Sequence, residues 1–324
     1  MTEQSKTPSG ACVRAGNPVR ATHRPSPDVA RELREQAVYG VPEQMAPGVL
    51  RVLADNAKDY TGPGTNTYVV GDERVWVIDP GPACERHLDA VREAVAERPV
   101  DGIFITHTHR DHSPAARPLQ QAAGAPVYCA GRLPDSLLAA TEEDVDPDFS
   151  PDRTLKDGQT LRQQGGDDRW HLRALHTPGH FPNHMCYALP AQGLLFSGDH
   201  VMGWSTTVVV PPLGNLSDYL TSLDRLAGQT WRLMLPSHGP LVEEPGARMA
   251  EIRAHRMTRH GQVLDCVRRG CTDPARIVDQ IYEGLTPRLE RAARGCVIAH
   301  LHMAERDGDL APMDDTANPL ATSA

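Results

Sequence analysis

The stretch "GIFITHTHRDH", which ends at residue 112, combines a β-strand pattern with a dense group of metal-type side chains. Its apolar and β-branched start predicts a strand at 102–106. His107, His109, Asp111 and His112 follow at once. A single histidine or aspartate is usually an ordinary surface or core residue, but four such groups in one loop favour a functional site. We therefore expect the fold to place the end of this strand at a functional site.

Three further ligand-type residues stand at the ends of later predicted strands. "HLRALHTPGH" leads to His180, "GLLFSGD" to Asp199 and "RLMLPSH" to His238. Loops at strand ends are where a rigid scaffold can bring together side chains from distant parts of a chain. Glycines in "TPGH", "SGD" and "SHG" permit tight turns beside these residues. We therefore expect the seven side chains to converge.

The donor types in this set indicate a divalent transition metal. Imidazole and carboxylate groups suit zinc, and they also accept iron and manganese. His107 and His109 are two residues apart and point the same way in an extended segment, whereas Asp111 and His112 follow in a turn, so one loop can serve two adjacent ions. Water bound by such an ion becomes a nucleophile near neutral pH. We expect two zinc ions per chain, with iron or manganese as alternatives.

Short β-type runs alternate with helical patterns and predict a layered α/β sandwich. Predicted helices lie at 84–97 and 217–227, the second with Ser217 as its N-cap. The acidic run "TEEDVDPDFSPD" within 131–159 is interpreted as a solvated loop, with a lid beside the site as the alternative. We predict nine strands, at 49–54, 67–71, 75–79, 102–106, 126–130, 171–176, 185–189, 193–199 and 232–238.

The chain divides into four predicted parts. Residues 1–30 and 311–324 lack apolar periodicity and are expected to be disordered tails. Between them we predict a catalytic domain at 31–245 and a small, mostly helical domain at 246–310. The sequence shows neither an apolar run of membrane-spanning length nor a signal-peptide core, so we expect a soluble, cytoplasmic protein.

Cysteine usage and charge narrow the classes of function. Seven scattered cysteines without CxxC spacing argue against a disulfide framework and against a cysteine zinc site. The net charge of −9 argues against a surface built mainly for nucleic acid, although residues 246–306 carry an excess of arginine. We therefore favour a small-molecule substrate and expect no membrane partner. RNA as a partner and a homo-oligomeric state both stay open.

The ordered motifs "THTHRDH", "TPGH", "SGD" and "PSHG" resemble the metallo-β-lactamase superfamily over roughly residues 45–240. Within that superfamily, "GTNTY" and "DPGP" make the chain similar to the glyoxalase II-like branch, particularly to LACTB2-like proteins. The resemblance implies a four-layered αββα sandwich. It also implies a winged-helix domain behind the catalytic one, because "AHRMTRHGQVL" resembles such a domain.

The resemblance further implies a zinc-dependent dinuclear hydrolase, in which a metal-bridging hydroxide attacks a small ester, thioester or related substrate. Asp111 is the expected catalytic residue, because it can orient this hydroxide or carry its proton. The implied ligands are three residues for the first metal, three for the second and one that bridges them: His107, His109 and His180; Asp111, His112 and His238; and Asp199.

Five other residues are candidates for contacts around the metals or for the substrate pocket. Asp79, at the end of a predicted strand, is expected to contact a metal ligand from behind. His184 and His200 are candidates for contact with a metal-binding side chain or with the substrate, with ordinary hydrogen bonding as the alternative. Met202 and Trp204 are candidates for apolar walls of the pocket.

Two other activities of the superfamily stay open. LACTB2-like proteins imply an endoribonuclease that acts on single-stranded RNA, whereas related persulfide dioxygenases use a single iron held by two histidines and one aspartate. Antibiotic hydrolysis is disfavoured, because many true metallo-β-lactamases have cysteine at the position of Asp199.

Overall fold

The computed structural model describes residues 27–310, and its centre is a pair of packed β-sheets. The first sheet has seven strands, ordered as in the sequence: β1 (Glu43–Ala46), β2 (Val49–Leu53), β3 (Asn66–Val70), β4 (Val75–Ile78), β5 (Val100–Phe104), β6 (Val127–Cys129) and β7 (Arg153–Thr154). The second sheet has five, ordered β12-β11-β10-β9-β8: β8 (Thr160–Arg162), β9 (His171–His176), β10 (Met185–Leu189), β11 (Leu194–Gly198) and β12 (Leu233–Pro236).

Each sheet contains a parallel pair of strands that is important for the site. In the first sheet, β4 pairs parallel with β5, so Asp79 and the histidine-rich loop both leave from carboxyl ends of neighbouring strands. In the second sheet, β11 pairs parallel with β12, and Asp199 and His238 follow these strands in the same way. The carboxyl ends of parallel strands lie at one edge of a sheet, which explains how residues far apart in the chain meet.

The core between the sheets is built from alternate residues of the strands. Tyr68 and Val70 of β3 face the second sheet, whereas Val69 faces the helices on the other side. Aromatic rings join the two sheets: the Tyr68 and Phe196 ring centroids lie 5.1 Å apart in an edge-to-face arrangement. Because both faces of each sheet are covered, every residue of β3, β4, β10 and β11 is buried.

Helices cover the outer faces of both sheets. The helices of the described residues are α1 (Pro27–Glu35), α2 (Glu85–Val95), α3 (Ala116–Ala123), α4 (Asp135–Ala140), α5 (Leu216–Ala227), α6 (Pro245–Arg268), α7 (Pro274–Ile281) and α8 (Pro287–Arg306). Leu88 and Leu119 bring α2 and α3 onto the first sheet, and Leu223, Ile252 and Met303 bring α5, α6 and α8 onto the second. The four-layered αββα sandwich that we predicted is confirmed.

All nine predicted strands are present, although several are shorter than the sequence pattern indicated. The prediction that Ser217 caps α5 was wrong. The side chain of Asn215 accepts hydrogen bonds from the backbone N–H groups of Ser217 and Asp218, which makes Asn215 the N-cap. At the N-terminus, α1 begins at Pro27, so the last four residues of the predicted tail 1–30 are helical. The rest of that tail and the predicted tail 311–324 lie outside the described residues.

The C-terminal part is helical, as predicted, and it shares a core with the second sheet. Val263, Ile277 and Val297 join α6, α7 and α8 in a cluster of their own. Met249 and Ala299 bring α6 and α8 into the cluster that covers the second sheet. From Pro245 to residue 310 the structure contains helices and no strand. These described residues therefore do not form the β-wing of a winged-helix domain. None of the helices within 27–310 has both the length and the hydropathy that a membrane crossing requires.

Candidate metal centre

The seven predicted ligand residues lie together at the edge where the strands of both sheets end. Their donor atoms form three overlapping groups, and within each group all donor atoms are within 4.8 Å of one another. The groups are His107, His109 and His180; His107, His112 and Asp199; and Asp111, His112 and His238. The first and third groups have the membership that the resemblance assigns to the first and second metals.

Each of the five histidines has one ring nitrogen held by an acceptor outside the centre. An N–H that donates outward fixes the tautomer and leaves the lone pair of the other nitrogen directed inward. The inner nitrogens of His112 and His180 are buried and have no hydrogen-bond partner among the described residues. The outer acceptors are Thr106 Oγ1 for His107 (3.1 Å), Glu143 Oε2 for His109 (3.0 Å), Asp79 Oδ2 for His112 (2.8 Å), Val208 O for His180 (2.6 Å) and Gly64 O for His238 (3.1 Å).

In the first group, the inner nitrogens converge on one point. His107 Nε2 and His109 Nδ1 are 2.8 Å apart, and these are the two nitrogens left free by the outward bonds. Burial lowers the pKa of His107 well below its usual range, and the neighbouring His112 and His109 lower it further. The pKa of His180 is also lowered, first by burial. Both imidazoles are therefore neutral, which is the form that binds a metal.

In the second group, one carboxylate faces two imidazoles. Asp111 Oδ2 lies 3.4 Å from His112 Nε2 and 3.2 Å from His238 Nε2. Thr65 Oγ1 donates a hydrogen bond to the same carboxylate oxygen over 3.2 Å. Of the two ligand carboxylates, Asp111 is more open than Asp199, with a quarter of its side chain (25%) exposed.

Asp199 contacts both groups. Its Oδ2 lies 3.7 Å from His180 Nε2 and 3.3 Å from His238 Nε2, and its Oδ1 lies 3.7 Å from His112 Nε2. Oδ1 is buried and has no hydrogen-bond partner among the described residues. A carboxylate between two sets of imidazole nitrogens has the arrangement expected of a bridging ligand, so the geometry is consistent with the role that the resemblance assigns to Asp199.

The electrostatics of the centre favour a bound cation. Burial opposes the ionisation of Asp199, but the nearby His238 and His112 more than offset this and hold its pKa well below the usual range. In turn, although burial disfavours the charged imidazole, Asp199 and Asp111 raise the pKa of His238 to about 10. Two buried carboxylates thus attract positive charge, which a proton or a metal ion can supply. Together with the unpartnered buried nitrogens, this donor set fits zinc, iron or manganese.

Asp79 lies behind the second group and contacts one of its imidazoles. Its Oδ2 accepts hydrogen bonds from His112 Nδ1 (2.8 Å), Thr106 Oγ1 (2.7 Å) and Ser237 Oγ (2.9 Å), and its Oδ1 accepts one from the Thr106 N–H (2.8 Å). The residue is fully buried, with a backbone φ of +48° that non-glycine residues seldom adopt. Asp79 therefore links the ends of β4, β5 and β12 to one imidazole of the centre.

The other two candidate histidines, His184 and His200, lie behind Asp199. His184 Nδ1 shares a hydrogen bond with Thr177 Oγ1, and its Nε2 accepts one from the Asp199 N–H over 3.2 Å. His200 packs against Tyr219 with 4.5 Å between ring centroids, and its ring nitrogens have no partner within 27–310. Burial lowers the pKa of His200 to about 3. The structure thus gives His184 an ordinary hydrogen-bonding role that supports Asp199, and it places His200 in the core.

Glycines next to the ligands allow close contacts. A Cβ at Gly179, where φ is +135°, would lie 2.2 Å from the Tyr219 Cα. The Trp204 ring lies against Gly62 and Gly239, where a Cβ would come within 2.7 and 2.6 Å of it, so this ring packs beside His238. Met202 is buried rather than exposed to a pocket. Of the two predicted apolar walls, only Trp204 is partly exposed beside the centre.

Sequence reasoning missed Glu143. The acidic run that we interpreted as a solvated loop is joined to the ligand loop by backbone hydrogen bonds: the Arg110 N–H donates to Asp144 O (2.9 Å), and the Asp146 N–H donates to Thr108 O (2.8 Å). These bonds place Glu143 Oε2 3.0 Å from His109 Nε2. An acidic run at this distance along the chain is a weak signal, because nothing in its composition identifies which carboxylate turns inward.

Replacing Glu143 with alanine is expected to weaken zinc binding about tenfold or more. The carboxylate orients His109 and makes its inner nitrogen a stronger donor, and losing such a partner commonly lowers metal affinity by about 10 to 100-fold. The measurement is competition for Zn²⁺ with a chromophoric chelator. Glu142→Ala is the matched control, because Glu142 is exposed in the same loop. An unchanged affinity in Glu143→Ala would show that the contact has no influence on the metal.

Comparisons with known proteins agree with this arrangement. A family model described as "Metallo-beta-lactamase superfamily" matches residues 60–240, which include all seven candidate ligands. An atrochrysone carboxyl ACP thioesterase of Paecilomyces divaricatus is 32% identical, and the match covers 72% of this chain and 69% of that protein. The corresponding thioesterase of Aspergillus chevalieri is 33% identical over 70% of this chain and 68% of its own length.

Among solved structures, a beta-lactamase domain protein from Burkholderia ambifaria resembles the chain with a TM-score of 0.71 and 25% identity. The match covers 87% of this chain and 94% of that one. Because it extends beyond residues 60–240, the C-terminal helices take part in the similarity. The thioesterases and this structure carry different names, so the likeness in fold does not by itself select a substrate.

Proposed function

This chain belongs to the metallo-β-lactamase superfamily of metal-dependent hydrolases, and on that premise we propose that it hydrolyses thioesters with a dinuclear metal centre. The observation that carries the proposal is the set of five histidines whose outer nitrogens are all held, so that their inner nitrogens face the centre, where four of them lie within 4.0 Å of the Asp199 carboxylate. Zinc is the proposed metal, because imidazole and carboxylate ligands suit it.

Thioester substrates are supported by the relatives. Two proteins that are 32% and 33% identical to the chain are named as ACP thioesterases. The resemblance to the glyoxalase II-like and LACTB2-like branch stays a prediction, because these relatives are named as ACP thioesterases, and no described residue forms the wing of the winged-helix domain that a LACTB2-like protein would have. We propose an acyl thioester, free or attached to a carrier protein, as the substrate.

The metal ions, Asp111 and the imidazoles have different roles in the proposed hydrolysis. When bound, the metal ions lower the pKa of water and polarise the substrate carbonyl. Asp111 is the ligand carboxylate most open to solvent, so we assign to it the orientation of the attacking water and the transfer of its proton to the departing sulfur. The products are then a carboxylic acid and a thiol. The inward directions of the imidazoles are set before substrate arrives, because each outer nitrogen has its acceptor within the fold.

The surroundings of the centre disfavour the endoribonuclease alternative. Glu142, Asp144 and Asp148 are exposed in the loop that lies against the ligand loop, and their negative charges repel a phosphate backbone. Arg248 and Arg256, which contribute to the positive charge of the C-terminal part, are turned toward the protein interior. Neither group forms the basic groove that single-stranded RNA requires.

A substrate panel tests this function. The purified protein, loaded with zinc, is given an acyl N-acetylcysteamine thioester, the matching oxygen ester, single-stranded RNA, and a persulfide with oxygen uptake recorded. We expect turnover of the thioester at least about a hundredfold above that of the other three. RNA cleavage without thioester turnover would replace the proposal with the nuclease, and oxygen uptake dependent on iron would replace it with the dioxygenase.

A further inference from the structure

Two arginines of helix α6, in the C-terminal part, donate hydrogen bonds to the loop that follows Asp199. Arg248 donates from Nε to Met202 O over 3.1 Å, and from a terminal nitrogen to Ser205 O over 2.6 Å. Two turns later, Arg256 donates to Thr207 O. These two side chains, here called the arginine clamp, bind three carbonyl groups of one loop from one helix.

The loop held by the clamp is connected directly to two candidate metal ligands. Thr207 Oγ1 donates a hydrogen bond to Asp199 O over 2.5 Å. Val208 O, the next carbonyl after the one that Arg256 binds, accepts the outer N–H of His180 over 2.6 Å. A displacement of Thr207 and Val208 would therefore move the backbone of Asp199 and free the imidazole of His180 to rotate.

Arg256 is buried, and its charge lies against this loop and an aromatic ring. The residue is only 5% exposed, and no carboxylate within 27–310 lies at ion-pair distance from it. Its guanidinium lies over the Tyr219 ring, 5.3 Å from the centroid, and Tyr219 Oη donates a hydrogen bond to His200 O over 2.8 Å. A buried cation without an acid is costly, so the carbonyl and ring contacts must offset that cost.

We propose that the arginine clamp is a positioning device, through which α6 fixes Asp199 and His180 in the orientation that binds metal. The C-terminal part is then a structural component of the metal centre rather than a nucleic-acid module. The inference rests on the metal centre of the proposed function, but it does not depend on the substrate.

Zinc affinity of clamp variants tests the inference. Arg256→Met and Arg248→Met keep much of the side-chain volume but remove the donors, and Arg256→Lys restores one donor. Arg268→Met is the matched control, because Arg268 lies on the same helix with 68% of its side chain exposed. The probe is Zn²⁺ alone, measured by chelator competition in proteins whose metal-free far-ultraviolet circular dichroism matches that of the parent.

We expect each methionine variant of the clamp to bind Zn²⁺ about tenfold more weakly, the double variant more weakly still, and Arg256→Lys between Arg256→Met and the parent. Arg268→Met should bind like the parent. If Arg256→Met does not fold, Arg248→Met carries the test, because Arg248 keeps 17% of its side chain exposed. A Zn²⁺ affinity within twofold of the parent in the folded clamp variants would overturn the inference. No substrate is present, so a wrong substrate proposal cannot produce that result.

Discussion

Replacement of Asp199 with alanine is expected to lower kcat/KM for thioester hydrolysis about a thousandfold or more. Among the described contacts, the Asp199 carboxylate lies within 4.0 Å of imidazoles from both metal groups, namely those of His107, His180, His112 and His238. The other ligand carboxylate, Asp111, contacts only His112 and His238. Removing Asp199 therefore takes a ligand from both metal groups. A thousandfold loss corresponds to about 4 kcal/mol of transition-state stabilisation, which is within what metal polarisation supplies.

The measurement is the thioester rate at low substrate concentration, together with the zinc content of each protein. We expect Asp199→Ala to retain less than two zinc ions per chain. Asp218→Ala is the control, because Asp218 is exposed in the first turn of α5. If Asp199→Ala keeps a tenth of the parental rate or more, Asp199 does not bridge the two metals.

Replacement of Asp79 with alanine is expected to lower the free energy of unfolding of the metal-free protein by about 3 kcal/mol. The change leaves the buried donors of Thr106, Ser237 and His112 without their acceptor, and unpaired buried donors are costly. Alanine also tolerates the positive φ of this position less well than aspartate does.

Urea unfolding of the metal-free proteins measures this effect. Asp79→Asn separates the two causes, because asparagine tolerates the backbone conformation but cannot accept all the hydrogen bonds; we expect it to destabilise the protein less than alanine does. Asp89→Ala, with 67% of the Asp89 side chain exposed on α2, serves as the control. If Asp79→Ala unfolds at the parental urea concentration, the hydrogen bonds around Asp79 do not stabilise the fold.

The convergence of the ligands could be predicted from the sequence because simple geometry determines it. His107, Asp199 and His238 each follow a recognisable buried strand, and parallel pairing places those strand ends at one edge. The αββα layers followed from the same alternation of strands and helices. What the pattern could not give was the exact length of each strand, since the last residues of a strand depend on pairing partners that lie elsewhere in the chain.

The outer contacts of the histidines were largely beyond sequence reasoning. Glu143 is 34 residues from His109, and Arg256 is 49 from Thr207, so only the folded chain shows that they meet. The strands β1, β7 and β8 escaped detection because they are short and rich in polar, exposed residues. The position of Asp79 could be predicted, because a carboxylate at the end of a buried strand that neighbours the ligand strand lies close to the ligands.

The proposed dinuclear centre is tested most sharply by the thioesterase activity of the metal-free protein as Zn²⁺ is added back. We expect the metal-free protein to be inactive, and we expect activity to rise with added zinc to a plateau at about two equivalents per chain. Full thioester hydrolysis without metal, or a plateau at one equivalent, would contradict a dinuclear centre built from these seven residues.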